Sequence, residues 1–193
     1  MKRTGSRAFT LIEMMVALVV LSLLLMMGLP AFGTYLQNAK LRTAAESFYT
    51  GLQAARAEAV KTNTNTEFVL TSDNGNSSSA QTATATTTGP NWIIRSQGTG
   101  GIYTFVAGKD FNEGSGQASG TTVSVSSTAS TITFTGFGST SLGATATLSV
   151  TNPVGGACAP TGQMRCLNVV VSVGGQVRLC DPAVSATGDT RKC

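Results

Sequence analysis

One carboxylate stands at the edge of a long apolar run. Glu13 lies four residues after Phe9, and the 20 residues that follow it, 14–33, carry no charge at all. A carboxylate near hydrocarbon costs on the order of 2–3 kcal/mol unless a cation compensates it, so the chemistry to expect of Glu13 is charge pairing. Little else in the chain could do chemistry. There is no histidine, and the nine acidic residues are scattered without a paired-carboxylate or metal-ligand spacing, so neither an enzyme nor a metal or cofactor site is expected. Cys158, Cys166, Cys180 and Cys193 all fall in the last 36 residues and none forms a Cys-x-x-Cys pair. Their even number and loop-rich surroundings read as two disulfides made in an oxidising compartment. Three connectivities are open, of which the local one, Cys158–Cys166 with Cys180–Cys193, is favoured.

The elements that hold these residues follow from pattern. At about 1.5 Å per residue the run 14–33 is long enough to cross a hydrocarbon core of about 30 Å, with Lys2, Arg3 and Arg7 as its positive flank. The run exceeds the usual signal-peptide core, and no small-x-small cleavage site follows it, so the span is expected to be retained. Pro30 removes a hydrogen bond and is expected to break or loosen the helix there. Beyond it Leu41, Ala45, Phe48, Leu52, Ala55 and Ala59 alternate steps of four and three, one stripe of an amphipathic helix that packs on a sheet. Arg42 and Glu46 are spaced to pair on its surface.

After about residue 62 the composition turns to Thr, Ser, Gly, Val and Ala, which favours short strands and turns. Strands are expected at 67–71, 91–96, 101–107, 121–126, 131–135, 145–150, 166–173 and 176–180. Gly174-Gly175 reads as a two-residue hairpin turn between the last two. Residues 72–90 hold no apolar side chain larger than Ala and read as a mobile loop. Their Asn76-Ser77-Ser78 tripeptide is a glycosylation sequon of the kind common by chance.

Around the proposed span the residues carry a family resemblance. Ala8-Phe9-Thr10-Leu11-Ile12-Glu13 after a short basic leader resembles the cleavage site of type IV prepilins and type II secretion pseudopilins. The resemblance implies that a prepilin peptidase cuts between Ala8 and Phe9, that the new amine of Phe9 is N-methylated, and that Glu13 pairs with the Phe9 amine of a neighbouring subunit. Physics agrees, because cleavage creates the cation that Glu13 lacks. The family's usual residue before the cut is Gly, and Ala8 departs from it; slower processing is expected. Loss of residues 1–8 would also leave 10 basic against 9 acidic residues in place of the formal +4, so no global polyanion binding is expected.

Leu52 to Lys61, the Thr-Asn run and the strand Glu67 to Thr71 further resemble the helix-to-strand junction of the FimT/FimU and GspH group of minor pilins. That resemblance implies an α+β type IV pilin fold: a leader at 1–8, a transmembrane and polymerisation helix at 9–36, an amphipathic helix at 37–62 and a β-rich head at 63–193 with a disulfide-bonded end. It implies a minor pilin anchored in the bacterial inner membrane, head in the periplasm, then carried to the cell-surface pilus. Its partners would be major and minor pilins, the prepilin peptidase and the inner-membrane assembly platform, with roles in pilus biogenesis, twitching motility, adhesion or DNA uptake. The alternative is a GspH-like minor pseudopilin of the type II secretion system; a major pilin fits the junction less well. DNA-uptake pilins of this group carry Gly-Arg-x-Arg near the C-terminus, matched here by Gly175-Gln176-Val177-Arg178, with Gln176 in place of the first arginine. A DNA contact would therefore rest on Arg178 with Arg165, Arg191 and Lys192. The competing reading is that Gln176 and Arg178 merely face outward while Val177 and Leu179 face the core.

Overall fold

The computed structural model describes residues 9–110 and 123–193, with the side chains of 27–31 outside the description. Lys2, Arg3, Arg7 and Ala8, and with them the leader and one side of the expected cleavage site, lie outside the described residues. One helix, α1, runs Leu11–Thr62. The chain divides into two compact units, residues 1–36 and Gln37–Cys193.

In the first unit, α1 presents its apolar side chains to the surroundings: Phe9 and every Leu, Ile, Val and Met described from Leu11 to Met26 is exposed. The described apolar turn of helix, 11–26, reaches about 24 Å at the usual rise, short of a hydrocarbon core of about 30 Å. Accordingly, no helix among the described residues is long and apolar enough to cross a membrane. The expected span 14–33 includes residues 27–31. The helical backbone is continuous there, and the break expected at Pro30 falls among the positions outside the described side chains.

The second unit is built by the remainder of α1 and eight strands. These are β1 (Thr66–Thr71), β2 (Asn91–Gln97), β3 (Tyr103–Lys109), β4 (Ser124–Ser127), β5 (Thr131–Phe134), β6 (Ala146–Thr151), β7 (Leu167–Val171) and β8 (Val177–Cys180). They form two antiparallel sheets of four, ordered β3-β2-β1-β5 and β4-β6-β7-β8. This is an α+β fold in which a helix covers antiparallel sheets. The stripe Leu41, Ala45, Phe48, Leu52, Ala55 and Ala59 is fully buried. It meets Phe68, Leu70, Trp92 and Ile94 from one sheet and Leu148, Val150, Val169 and Val171 from the other in a single core. Alternation does this work, since every second residue of a strand shares a face. Phe68 stacks on Trp92 at 5.5 Å and meets Phe48 edge-on at 6.5 Å. Trp92 keeps its ring nitrogen satisfied by donating to Ser47 Oγ at 3.3 Å. Gly51 is what lets the helix come this close, because a Cβ there would stand 3.0 Å from both Phe68 and Trp92.

Two expectations are corrected. The stretch 72–90 is a fastened cover, not a mobile loop. It carries a 3-10 turn at Ser77–Ser79, Thr86 N donates to Leu70 O at 2.8 Å, and Asp73 accepts from Thr84 N at 2.7 Å. Ala80 is buried, and Val69 and Ile93, on the face of the first sheet turned away from α1, are completely buried. Backbone and carboxylate hydrogen bonds substitute for the missing apolar anchors, a contribution that composition does not display. The β7–β8 connection is a three-residue loop, not a two-residue one. Val171 pairs with Val177, Ser172 N donates to Gln176 O, and Gly175 N donates to Ser172 O. Gly175 takes the left-handed conformation, φ 82°, that such a bulged hairpin requires, and its missing side chain lets the carbonyl of Gly138 press against it.

Candidate functional site

The N-terminal site begins at a helix cap. Thr10 precedes the first helical residue, and its Oγ1 accepts the backbone N–H of Glu13 at 3.3 Å. Ser/Thr-x-x-Glu is the capping-box spacing, a signal in Thr10-Leu11-Ile12-Glu13 that the reading of Glu13 as a bare membrane carboxylate passes over. Glu13 therefore occupies the first turn of α1, where the unsatisfied N–H groups favour negative charge. Phe9 is three-quarters exposed, one helical turn away from Glu13. The two residues expected to pair between neighbouring subunits thus stand at the same open end of α1.

The C-terminal site is held by the two disulfides. Cys158 bonds Cys166, and Cys180 bonds Cys193. The first closes a loop that grips the start of the head's helix: Asn38 donates to Gln163 O at 3.3 Å and accepts from Arg165 N at 2.7 Å. Beside it, buried Asn152 donates to Gln37 Oε1 at 2.6 Å. The second folds residues 181–193 back on β8. Asp181 N donates to Arg191 O at 2.7 Å, and Asp181 and Lys192 form a parallel bridge.

This return brings the expected cations to one region and gives each a partner. Arg178 Nη1 and Nη2 donate to the carbonyls of Lys192 and Cys193 at 3.3 and 3.1 Å. Arg191 holds Asp189 bidentately, Nη2 to Oδ2 at 2.7 Å and Nε to Oδ1 at 3.1 Å. Lys192 Nζ donates to Ser185 O at 3.3 Å, and Arg165 Nη1 lies 4.0 Å from Asp181 Oδ2. The Arg191 side chain, and after it the Arg191 backbone N–H, lower the Asp189 carboxyl to about 2. Gln176, just before β8, and Arg178 within it are exposed, while Val177 is buried and Leu179 half-buried. The negative charge of Asp181, close to Arg178 along the chain, is legible in the sequence, and the fold adds Asp189 beside Arg191. Among the described residues no group of acidic, Cys or His side chains could hold a metal ion.

A third polar constellation went unnoticed in the sequence because its members are 28 and 36 residues apart. Glu67 accepts from Arg95 Nε at 2.8 Å and from Tyr103 OH at 3.1 Å. Arg95 also lies 3.9 Å from the Tyr103 ring centroid and donates to Ala80 O at 3.1 Å. Burial, then the Glu67 contact, raise the Tyr103 hydroxyl above its ordinary range. The cluster is a clasp for the 72–90 cover rather than a reactive centre, since every one of its polar contacts is internal.

Comparison with known proteins matches two stretches of the chain. Residues 3–29 match the prokaryotic N-terminal methylation motif, and residues 44–175 match the family described as type II transport protein GspH. Among solved structures, the chain is similar to the type IV minor pilin FimU of Pseudomonas aeruginosa at 17% identity, with a TM-score of 0.53, 79% of this chain and 97% of that chain being covered. The minor pseudopilin EpsH from the type 2 secretion system of Vibrio cholerae is also similar, at 12% identity and a TM-score of 0.48, with 75% and 99% covered. The FimU likeness is one of fold. No curated protein sequence matches the chain.

Proposed function

The chain belongs to the family of type II transport protein GspH, within the type IV pilin-like minor subunits, and on that premise we propose that it is a minor pilin of a type IV pilus. In this reading peptide-bond hydrolysis between Ala8 and Phe9 frees an ammonium group on Phe9, which is then N-methylated. Residues 14–33 anchor the subunit in the inner membrane before assembly, with residues 63–193 as a periplasmic head, and Glu13 receives the Phe9 amine of the adjoining subunit. The carrying observation is the order of the two matches: a methylation motif over 3–29 followed by a GspH match over 44–175 in one polypeptide. Exposure of Phe9 and of the apolar side chains from Leu11 to Met26 supports an N-terminal segment made to be covered by lipid and then by neighbours. Partners in this reading are other pilins, the prepilin peptidase and the assembly platform.

Co-expression with a prepilin peptidase, followed by mass spectrometry of the mature N-terminus, tests this. N-methylated Phe9 is the expected result; a chain still beginning at Met1, or cut beyond Leu29, overturns it. The description of the matched family favours a second reading, a minor pseudopilin of type II secretion. Recovery of the chain in sheared surface filaments supports the pilus, whereas recovery only with the secretion platform supports the pseudopilus.

DNA contact through the tail is the narrowest part of the proposal. Arg165, Arg178, Arg191 and Lys192 are exposed, yet Asp181 and Asp189 sit among them and Arg178 would have to release two carbonyls. Duplex retardation that is lost on Arg178→Ala and falls steeply with salt would support a phosphate contact; no retardation at low salt removes it.

A further inference from the structure

Three chain junctions of the head converge on an open hollow of about 750 Å³. It lies where α1 passes into β1, where β2 turns toward β3, and at the turn after β5. Asn63, Asn65, Gln97, Thr99 and Phe137 contribute side chains, and the rest of the lining is threonine and glycine. Not one lining residue is ionisable. Phe137 dominates it, with a relative exposure of 94%.

That exposure is enforced by the fold. The turn bearing Phe137 is closed by Thr135 N to Ser139 O and by Gly138 N to Thr135 O, each 2.8 Å. Arg56 Nε donates to Gly138 O at 3.0 Å, and Gly138 itself takes φ 78°. On the other side Asn63 Oδ1 abuts Gly136 so closely that a Cβ would meet it. The ring is presented on a pinned turn and has no route to the core.

The polar wall is also pre-set. Asn63 holds a left-handed φ of 51° at the end of α1, Gln97 N donates to Asn65 O at 2.8 Å, and Asn65 Nδ2 donates to Gln97 Oε1 at 3.4 Å. Among the described residues those bonds leave Gln97 Nε2, Asn65 Oδ1, Asn63 Nδ2 and the Thr99 hydroxyl for a ligand. Side-chain amides and hydroxyls supply donors and acceptors together, so they suit a ligand that does the same with its hydroxyl groups.

From this we infer that the hollow is a carbohydrate-binding site, taking a neutral sugar ring whose C–H face lies on Phe137 and whose hydroxyls meet Asn63, Asn65, Gln97 and Thr99. The chemistry discriminates among ligands. A nucleic acid or phosphate would call for cations, which the lining lacks. A protein interface of this size would call for a desolvated apolar centre, where this hollow has one ring among amides. A few well-placed polar groups beside an aromatic surface, in a volume within the usual range of about 300–1,000 Å³, are what a small polar ligand needs.

The test uses the full chain in a phosphocholine detergent, which has no sugar headgroup, and saturation-transfer NMR with neutral hexasaccharides of glucose, galactose and N-acetylglucosamine. Transfer to ring protons is expected for at least one of them, unchanged by added salt. Phe137→Ala is expected to weaken it on the order of tenfold, the loss of one stacked ring, while Phe137→Trp preserves it and Gln97→Ala weakens it. Because the Phe137 ring is exposed, unchanged near-ultraviolet circular dichroism verifies the fold of each variant. Absence of transfer from every probe at millimolar concentration overturns the site, as does transfer indifferent to Phe137→Ala. A loss of association between chains on Phe137→Ala, without sugar binding, also overturns it, by making the ring a protein anchor.

Discussion

Glu67 and Arg95 face each other across β1 and β2, Nε to Oε2 at 2.8 Å, with side chains only 15% and 13% exposed. They are register partners in the antiparallel ladder. The pair lies on the sheet face opposite α1, and through Arg95 and Ala80 it fastens the 72–90 segment there. Removing one member strands a mostly buried charge, so Glu67→Ala is expected to cost about 2–4 kcal/mol in chemical denaturation. Hydrogen exchange should show the same variant losing protection first within 72–90. Loss confined to β1, with the cover still protected, would show that Arg95 is not its fastener.

Removing the second disulfide tests the tail. Cys180 and Cys193 are 13 residues apart, and closing a loop of that order constrains the unfolded chain by about 3 kcal/mol. The double variant Cys180→Ser/Cys193→Ser is expected to lose roughly that much. Arg178 should then exchange freely with solvent, visible as collapse of its guanidinium NMR signals, because Lys192 and Cys193 no longer sit over it. Persisting Arg178 signals would mean that the tail holds itself without the bond.

Acid should act on the same tail late. The Asp189 carboxyl lies at about 2 against an ordinary 3.8, held chiefly by the Arg191 side chain. A carboxyl depressed in the fold stabilises it fully above its ordinary value, and that contribution drains away as pH falls from about 4 through about 2. Carbon-detected NMR is expected to place the Asp189 midpoint near 2, and Arg191→Ala to return it toward 3.8. A midpoint already at the ordinary value would dissolve the clamp. Since the Arg191 side chain is 72% exposed, the readout is the titration itself and not global stability.

Core packing around the helix should be unforgiving. Phe48 is fully buried and meets Phe68 edge-on, so Phe48→Ala is expected to cost about 3–5 kcal/mol, read from the denaturation midpoint with an unchanged slope. A cost near 1 kcal/mol would show that Trp92 and Leu52 collapse into the space.

Glu13 belongs to the filament proposal and separates assembly from folding. Glu13→Gln keeps the size of the side chain, removes its charge and leaves the Thr10 contact to the backbone N–H. Cleavage before Phe9 and the circular dichroism of the head are expected to stay as they are, while recovery in filaments falls. Normal incorporation of Glu13→Gln would remove the charge-pairing role.

How much of this was readable beforehand depended on the range of the interactions. The buried stripe from Leu41 to Ala59 is a local periodicity, and eight strand segments stood out between glycine, proline and serine punctuation, because period and breaker residues are properties of neighbouring positions. The pinned cover at 72–90 was missed because its anchors, Leu70, Arg95 and Tyr103, bring it bonds from outside the segment. The Thr10–Glu13 cap was missed for another reason: its spacing is local, but the apolar run around it drew attention to solvation rather than to helix initiation.

What the sequence by itself determined is the class of the chain: an apolar, Glu13-bearing N-terminus, an amphipathic continuation and a small disulfide-bearing β-rich end, all dictated by composition and spacing along the chain. Only the tertiary structure decided what the polar residues do. It laid Arg178 under the carbonyls of Lys192 and Cys193, brought Asp181 within 4.0 Å of Arg165, and gathered Asn63, Gln97 and Phe137 into one hollow. Those relations join residues up to 74 positions apart, and no local preference encodes them, because they exist only once both sheets have closed on α1.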